Sequence, residues 1–341
     1  MKSFMFALGF AALAIAAPLR AQAQDMWRHG PSGVSIAREI GEMRLREERD
    51  NSNGVGADVY MQFGSGGTTV TFYVYRSAYP NVALWFERTR LAMQQSVGSG
   101  GTAVAPRPFT LGSSSSANGL REELDVPPAN LMRARATAVA MAQVGQWIVK
   151  ARVTSSDLDR AGVTALMDQL LAAVQLSGTA PPPLPLAVPS VCTEDVRMRG
   201  DRIGNVRESE TAAALMAAVL GDAEARGGGG LASDPQSWCR MTTTEVPIEY
   251  GTVYRRRDGG GWVALLGDSG RAAAALALDA PGRARAGLIA ITPASTQTVA
   301  VYDGIPDPDQ AVPVSLPVVV GQATGMVQIS TSGPEGRRPG D

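Results

Sequence analysis

Residues Ser177–Ser190 read SGTAPPPLPLAVPS, with five prolines in fourteen positions. Each proline fixes φ and removes a backbone donor, so this stretch can be neither helix nor interior strand. It reads as a semi-extended spacer and divides the chain into two regions. A chain of 341 residues is long for one hydrophobic core, which agrees with two units. The division runs 25–176, a linker at 177–190, a second unit at 191–332 and a disordered tail at 333–341.

The start of the chain is a separate matter. Met1-Lys2-Ser3 carries one positive charge, and an apolar run from Phe4 to Ala17 follows. That run is shorter than the roughly 20 residues a membrane helix needs. Pro18 breaks it, and Ala21-Gln22-Ala23 supplies a small-x-small cleavage site. Residues 1–23 therefore read as a signal peptide removed near Ala23, and the location as periplasmic or secreted. No later apolar run is long enough for a transmembrane helix. Cleavage takes two of the 31 basic residues and none of the 32 acidic ones. The mature chain is slightly acidic, which argues against a nucleic-acid partner. Beyond the leader Lys150 is the single lysine, and the dominance of arginine, alanine and glycine follows from a GC-rich coding bias.

In the first unit, Val59, Met61 and Phe63 alternate with Asp58, Tyr60 and Gln62. After a glycine turn, Val70, Phe72 and Val74 alternate with Thr71, Tyr73 and Tyr75. This is a hairpin with one apolar face, and Met43 to Arg49 is a more polar strand beside it. Asn81 can cap a helix whose buried face carries Val82, Trp85, Phe86, Thr89 and Met93, with Glu87, Arg88, Arg90 and Gln94 facing water. A loop rich in Gly, Pro and Ser runs to about Asn118 and includes Ser113–Ser116. Met132 to Ala142 and Trp147 to Val153 form two further strands about Gly145-Gln146. The alanine row of the first is thin enough for a close helix. Ser156 and Asp159 form a capping box, and Leu158, Leu166, Leu170 and Val174 line the helix that follows. The expected core is Phe63, Phe72, Trp85, Trp147, Val149, Leu166 and Leu170.

Strands, helix, strands and helix in this order predict an α+β fold: an antiparallel sheet covered by helices. Around Ile40-Gly41, Tyr73-Val74-Tyr75-Arg76 and Trp85-Phe86, residues 30–175 resemble uncharacterised exported proteins of Gram-negative bacteria. The resemblance implies export and no activity.

The second unit holds both cysteines. In an exported chain, Cys192 and Cys239 predict one disulfide. Ser209 to Ala225 is alanine-rich and helical. Gly227–Gly230 ends it, and short apolar runs near 246–254, 262–266, 272–278, 286–291 and 298–302 follow between turns. Val312 to Ile329 reads as two more strands. The second unit is thus a smaller β-rich domain with one helix and a disulfide.

Candidate chemistry is sparse. Gly267-Asp268-Ser269-Gly270 resembles the nucleophile segment of trypsin-like serine proteases. The triad needs a histidine base held by an acid, and the one histidine, His29, lies in a frayed N-terminus. Arg271 also stands where that family has glycine, so the segment reads as a hairpin turn. Ser113–Ser116 lacks a nucleophile elbow, and Gly227–Gly230 lacks the Lys-Ser/Thr of a phosphate loop. Asp303, Asp307 and Asp309 lack the bidentate glutamate of a calcium loop. Arg255-Arg256-Arg257 reads either as a site for an acidic polymer or as a strand end with snorkelling side chains. Two cysteines and one histidine fall short of a structural zinc site, so neither metal nor cofactor is expected. Tyr60, Tyr73 and Tyr75 share one sheet face, as cover for a packed helix or as an interaction surface.

These readings point to a non-catalytic binding or scaffolding protein of the cell envelope, whose partner is an envelope protein or ligand that the sequence does not name. The alternative is a periplasmic hydrolase that uses a carboxylate pair. Export makes a direct prediction: intact-mass measurement on protein from a Gram-negative host should find a mature chain beginning at Gln24. A cytoplasmic chain that keeps Met1 would contradict it.

Overall fold

The computed structural model describes residues 25–330 except 53, 55, 99–100, 114–115, 129–132, 178–185, 195–197, 204–207, 227–234, 243, 245, 247–250, 268–269 and 281–282. The leader, most of the proline run, Ser114, Ser115, Gly227–Gly230, Ser269 and the tail at 333–341 lie outside the described residues.

Alternating apolar residues build the first unit. β1 (Met26–His29) and β2 (Val34–Ala37) pair antiparallel, and β12 (Val174–Leu176) adds to β2. The main sheet is antiparallel throughout. It runs from β3 (Glu39–Ile40) through β4 (Met43–Asp50), β5 (Asp58–Ser65) and β6 (Thr68–Arg76) to β11 (Trp147–Ser155). It continues through β10 (Ala136–Val144) and β9 (Gly119–Asp125) to the short edge strands β7 (Thr102–Ala103) and β8 (Arg107–Phe109). Val144 pairs with Trp147 across the two-residue turn Gly145-Gln146, and Gly145 has φ +60°, the left-handed conformation such a turn requires.

Two helices cover the sheet, α1 (Val82–Val97) on one face and α2 (Arg160–Ala172) on the other. The alanine row Ala136, Ala138, Ala140 and Ala142 lies under α2, together with Phe63, Phe72, Val149 and Val153. Short side chains let Val163, Met167 and Leu170 of α2 come close to the strands. The cap of α2 is Asp159, which accepts from the Gly162 N–H; Ser155 rather than Ser156 takes the N–H groups of Asp157 and Leu158.

The second unit has one eight-stranded sheet: β13 (Ser190–Val191), β14 (Trp238–Arg240), β15 (Gly251–Arg256), β16 (Gly261–Leu266), β17 (Arg271–Ala280), β18 (Arg283–Ile291), β19 (Ser295–Tyr302) and β20 (Val327–Ser330). Only β13 and β14 run parallel. Helix α3 (Glu208–Arg226) packs on β17–β20, and α4 (Pro308–Val319) covers the opposite face. A mixed, mostly antiparallel β fold with helical cover and a disulfide is therefore present. The second unit has two helices where the sequence predicted one. Pro313 and Pro317 suggest a strand or a break, yet both sit on the exposed side of α4, four residues apart. Asp307 caps the helix and Pro308 opens it, the position where proline loses no bond.

No strand pairing crosses the proline-rich stretch among the described residues, but one apolar cluster does. It joins Tyr75, Leu84, Trp85, Val139 and Met141 to Trp238, Tyr254, Val263, Leu265 and Ile289. Trp85 belongs to this cluster, away from Phe63, Phe72, Trp147 and Leu170. The expected single core is two cores, one on each face of the first sheet. Few contacts were expected across the linker. The shared layer departs from that, because α1 is apolar on more than one side.

Cys192 and Cys239 form the expected disulfide, Cα–Cα 4.9 Å. It ties β13 to β14, whose Trp238 and Arg240 both reach toward α1. Replacing both cysteines by serine should lower the unfolding free energy by about 2–4 kcal/mol in chemical denaturation. An unchanged value would contradict this anchoring role.

Candidate functional site

Helix α1 begins from an unusual entry. Tyr79 has φ +57°, a conformation that costs a bulky residue about 1 kcal/mol or more. Its carbonyl and that of Ala78 both accept from the Trp85 indole N–H, at 3.1 and 3.0 Å. Asn81 then caps the helix through the N–H groups of Ala83 and Leu84. Every residue from Val82 to Thr89 is buried, Glu87 and Arg88 included. Of the face that looks solvated in sequence, Glu87 meets Arg240 of the second sheet, while Arg90 and Gln94 meet Glu122 of β9.

Three charged groups in this layer set its electrostatics. Glu87 accepts from Arg240 Nε at 3.0 Å. The Tyr254 hydroxyl donates to the Leu84 carbonyl at 3.1 Å, and burial, with the nearby Glu87 charge, holds it well above the ordinary tyrosine range. Burial also raises the Glu87 carboxyl, outweighing the pull of Arg240. Glu122 on β9 is buried beside Gln94 at 3.0 Å and Arg90 at 3.7 Å, and burial raises it too. Arg90 thus stands within the field of both glutamates.

The third group is Asp58, 1 % exposed, with Arg271 at 4.0 Å. Burial lifts its carboxyl above the usual range, while Arg271 and Lys150 pull it down. Lys150 is itself buried, its ammonium 4.7 Å above the Tyr73 ring, an arrangement worth about 2 kcal/mol when desolvated. The turn before β17 closes this corner. The Ala78 N–H donates to Gly270 O at 2.8 Å. Gly270 has φ +72°, and a Cβ there would sit 2.6 Å from Arg76 O. Of the Gly-Asp-Ser-Gly segment, Gly270 is thus packed against the backbone that leads into α1.

The residues singled out in sequence separate. Tyr75 is fully buried, its ring 5.9 Å from Trp85 in a T arrangement, so it is core beneath α1 and not open surface. Tyr60 and Tyr73 are half-buried and touch, ring centroids 5.1 Å apart. His29 is not frayed. It lies in β1, 5 % exposed, stacked on Trp27 and edge-on to Trp147. Gly56 O, 2.7 Å from Nε2, can only accept, so Nε2 carries the proton and Nδ1 accepts from the Ser32 hydroxyl at 2.7 Å. Burial lowers its pKa, against the Gly56 carbonyl, which raises it.

Asp303 accepts from the Asp201 N–H at 2.6 Å, and Asp307 caps α4. Arg257 donates to Gln236 O and to Ser190, while Arg256 pairs with Asp258. Among the described residues, no group of three His, Cys, Asp or Glu side chains could hold a metal ion. No helix is long and apolar enough to cross a membrane. A cleft of about 520 Å³ opens near the start of α2, lined by Glu42, Ser65, Thr68, Asp157, Leu166 and Gln169.

Sequence reasoning missed Asp58, Glu87, Glu122 and Lys150. The available signal was position: Asp58 and Lys150 fall in apolar strands on the side opposite the main apolar row. Glu122 lies in β9, whose run Arg121-Glu122-Glu123 hides its strand character.

Acidification tests the layer. A carboxyl with a raised folded pKa binds its proton more readily folded than unfolded, so lowering pH through that window stabilises the fold. Glu87, Glu122 and Asp58 act in this sense. His29, with a lowered folded pKa, acts oppositely. Comparing wild type with Glu87→Gln cancels the His29 contribution. The melting temperature of the variant should gain less, or lose more, between pH 7 and about pH 5. Parallel pH profiles would contradict the assignment.

Neither a family model nor a curated protein matches the chain. Among solved structures, the solution structure of cyanobacterial PsbP from Synechocystis sp. PCC 6803 is similar at 7 % identity and TM-score 0.34, over 48 % of this chain and 99 % of that one.

Proposed function

We propose that the chain is an exported, non-catalytic binding or scaffolding protein of the cell envelope, released into the periplasm or beyond after cleavage near Ala23. Its layout is an α+β domain at 25–176 followed by a β-rich domain at 191–332. The carrying observation is the use made of the converging charged groups. Glu87 is engaged with Arg240, Glu122 with Gln94 and Arg90, and Asp58 with Arg271. All three side chains are buried among elements of the fold, whereas the acid and base of a hydrolytic site must reach a substrate. The disulfide accords with an oxidising compartment.

A periplasmic hydrolase is the second reading, favoured by one observation. Glu87 and Glu122 both have raised carboxyls and both neighbour Arg90, and a carboxyl raised by burial can serve as a general acid.

Cross-linking in intact Gram-negative cells, read by mass spectrometry, separates the two. The binding reading expects one reproducible adduct with an envelope component, formed equally by wild type and Glu122→Gln. Turnover of peptidoglycan fragments by the wild type, lost in a folded Glu122→Gln variant, would replace it with the hydrolase.

A further inference from the structure

Of the three consecutive arginines at 255–257, the middle one alone meets an acid among the described residues. Arg256 pairs with Asp258 through two bonds, Nε to Oδ1 at 3.1 Å and Nη2 to Oδ2 at 2.7 Å. Arg257 donates to neutral groups, the Gln236 carbonyl at 2.8 Å and the Ser190 hydroxyl. Arg255 is 9 % exposed, and its Nε is shut from water with no hydrogen-bond partner. No ion pair with a described residue reaches it. A guanidinium cannot shed its proton, so the charge stays, and a desolvated charge without a counter-ion is unfavourable.

Strand register explains this isolation. Ser190, Cys239, Arg255 and Trp262 stand opposite one another across β13 to β16. The neighbours of Arg255 along that row are therefore a disulfide and an indole, both uncharged. The Arg257 N–H donates to Ser237 O at 2.9 Å and carries the ladder one residue past β15. Alternation then puts Arg255 and Arg257 on one face, roughly 7 Å apart along the chain. Arg256 and its acid fall on the other. Arg257 is exposed, so the face opens to solvent at that end.

We propose that this face binds a phosphate dianion, free or as a monoester, with Arg255 as the inner ligand and Arg257 as the outer one. Charge selects the ligand. Two guanidiniums without an acid are matched by two negative charges, and a phosphate monoester brings nearly that charge with three strong acceptor oxygens. Two planar forks can share those oxygens. A carboxylate or a phosphodiester brings one charge and leaves half of the pair unanswered. The inference stands on Arg255 and Arg257 and not on the envelope role, so its failure would leave that role untouched.

Isothermal titration calorimetry of the full mature chain with inorganic phosphate, from about 0.01 to 10 mM at low salt and about pH 8, tests the assignment. One saturable site is expected, weakened at least about tenfold by Arg255→Gln and at least about threefold by Arg257→Gln. Arg256→Gln removes an arginine that Asp258 already answers and should change affinity less than about twofold. Phosphate should also raise the melting temperature of the wild type and leave that of Arg255→Gln unmoved. Arg257 is exposed, so its variant decides the matter even where Arg255→Gln disturbs the fold. Absence of both heat and thermal shift at about 10 mM phosphate would overturn the proposal. So would binding indifferent to Arg257→Gln, or equal weakening by Arg256→Gln, the mark of a diffuse basic patch. Acetate binding as tightly as phosphate, or phosphatidylglycerol vesicles binding in preference to it, would overturn the choice of a dianion.

Discussion

The structure depends on what surrounds α1. One short helix is apolar toward both sheets, and the acid it buries, Glu87, is answered by Arg240 from the far side of the proline-rich stretch. Removing one partner of a buried pair costs far more than the pair contributes. Helix and strand therefore depend on each other. Tyr254 adds a bond from the second sheet to the Leu84 carbonyl, and Ala78 makes the reciprocal contact to Gly270. The disulfide belongs to the same arrangement, since Cys239 lies between Trp238 and Arg240 on β14.

Small residues make the layers possible. Alanines of β10 admit α2, and Ala214, Ala217 and Gly221 let α3 settle against β18. In β17, Ala272 and Ala274 face the shared layer, while Ala273 and Ala275 face the α4 side. A composition that reads as coding bias therefore has a structural use: with thin strands, both faces of a sheet can be covered closely.

Much of the local structure was legible in the sequence. The alternation at 58–63 and 70–75 predicts β5 and β6, and Gly145-Gln146 predicts the turn that pairs β10 with β11. The cysteine pair and the Asn81 cap follow equally from local rules. Three things were not legible. β9 carries charge at four of seven positions, so its pattern resembles a solvated segment until its partners on both sides are known. α4 contains two internal prolines whose tolerance depends on which side faces water. The destination of Trp85 was hidden because periodicity marks which residues are buried and not what buries them. The candidate site was the least visible part, since Asp58, Lys150, Glu87 and Glu122 become neighbours of the interface only when two distant segments meet.

The central claim is that the layer around α1 couples both sheets into one cooperative structure. Differential scanning calorimetry of the mature chain tests it most directly. Coupling predicts a single transition in which the calorimetric and van't Hoff enthalpies agree. Two resolved transitions, one for each side of the proline-rich stretch, would contradict it.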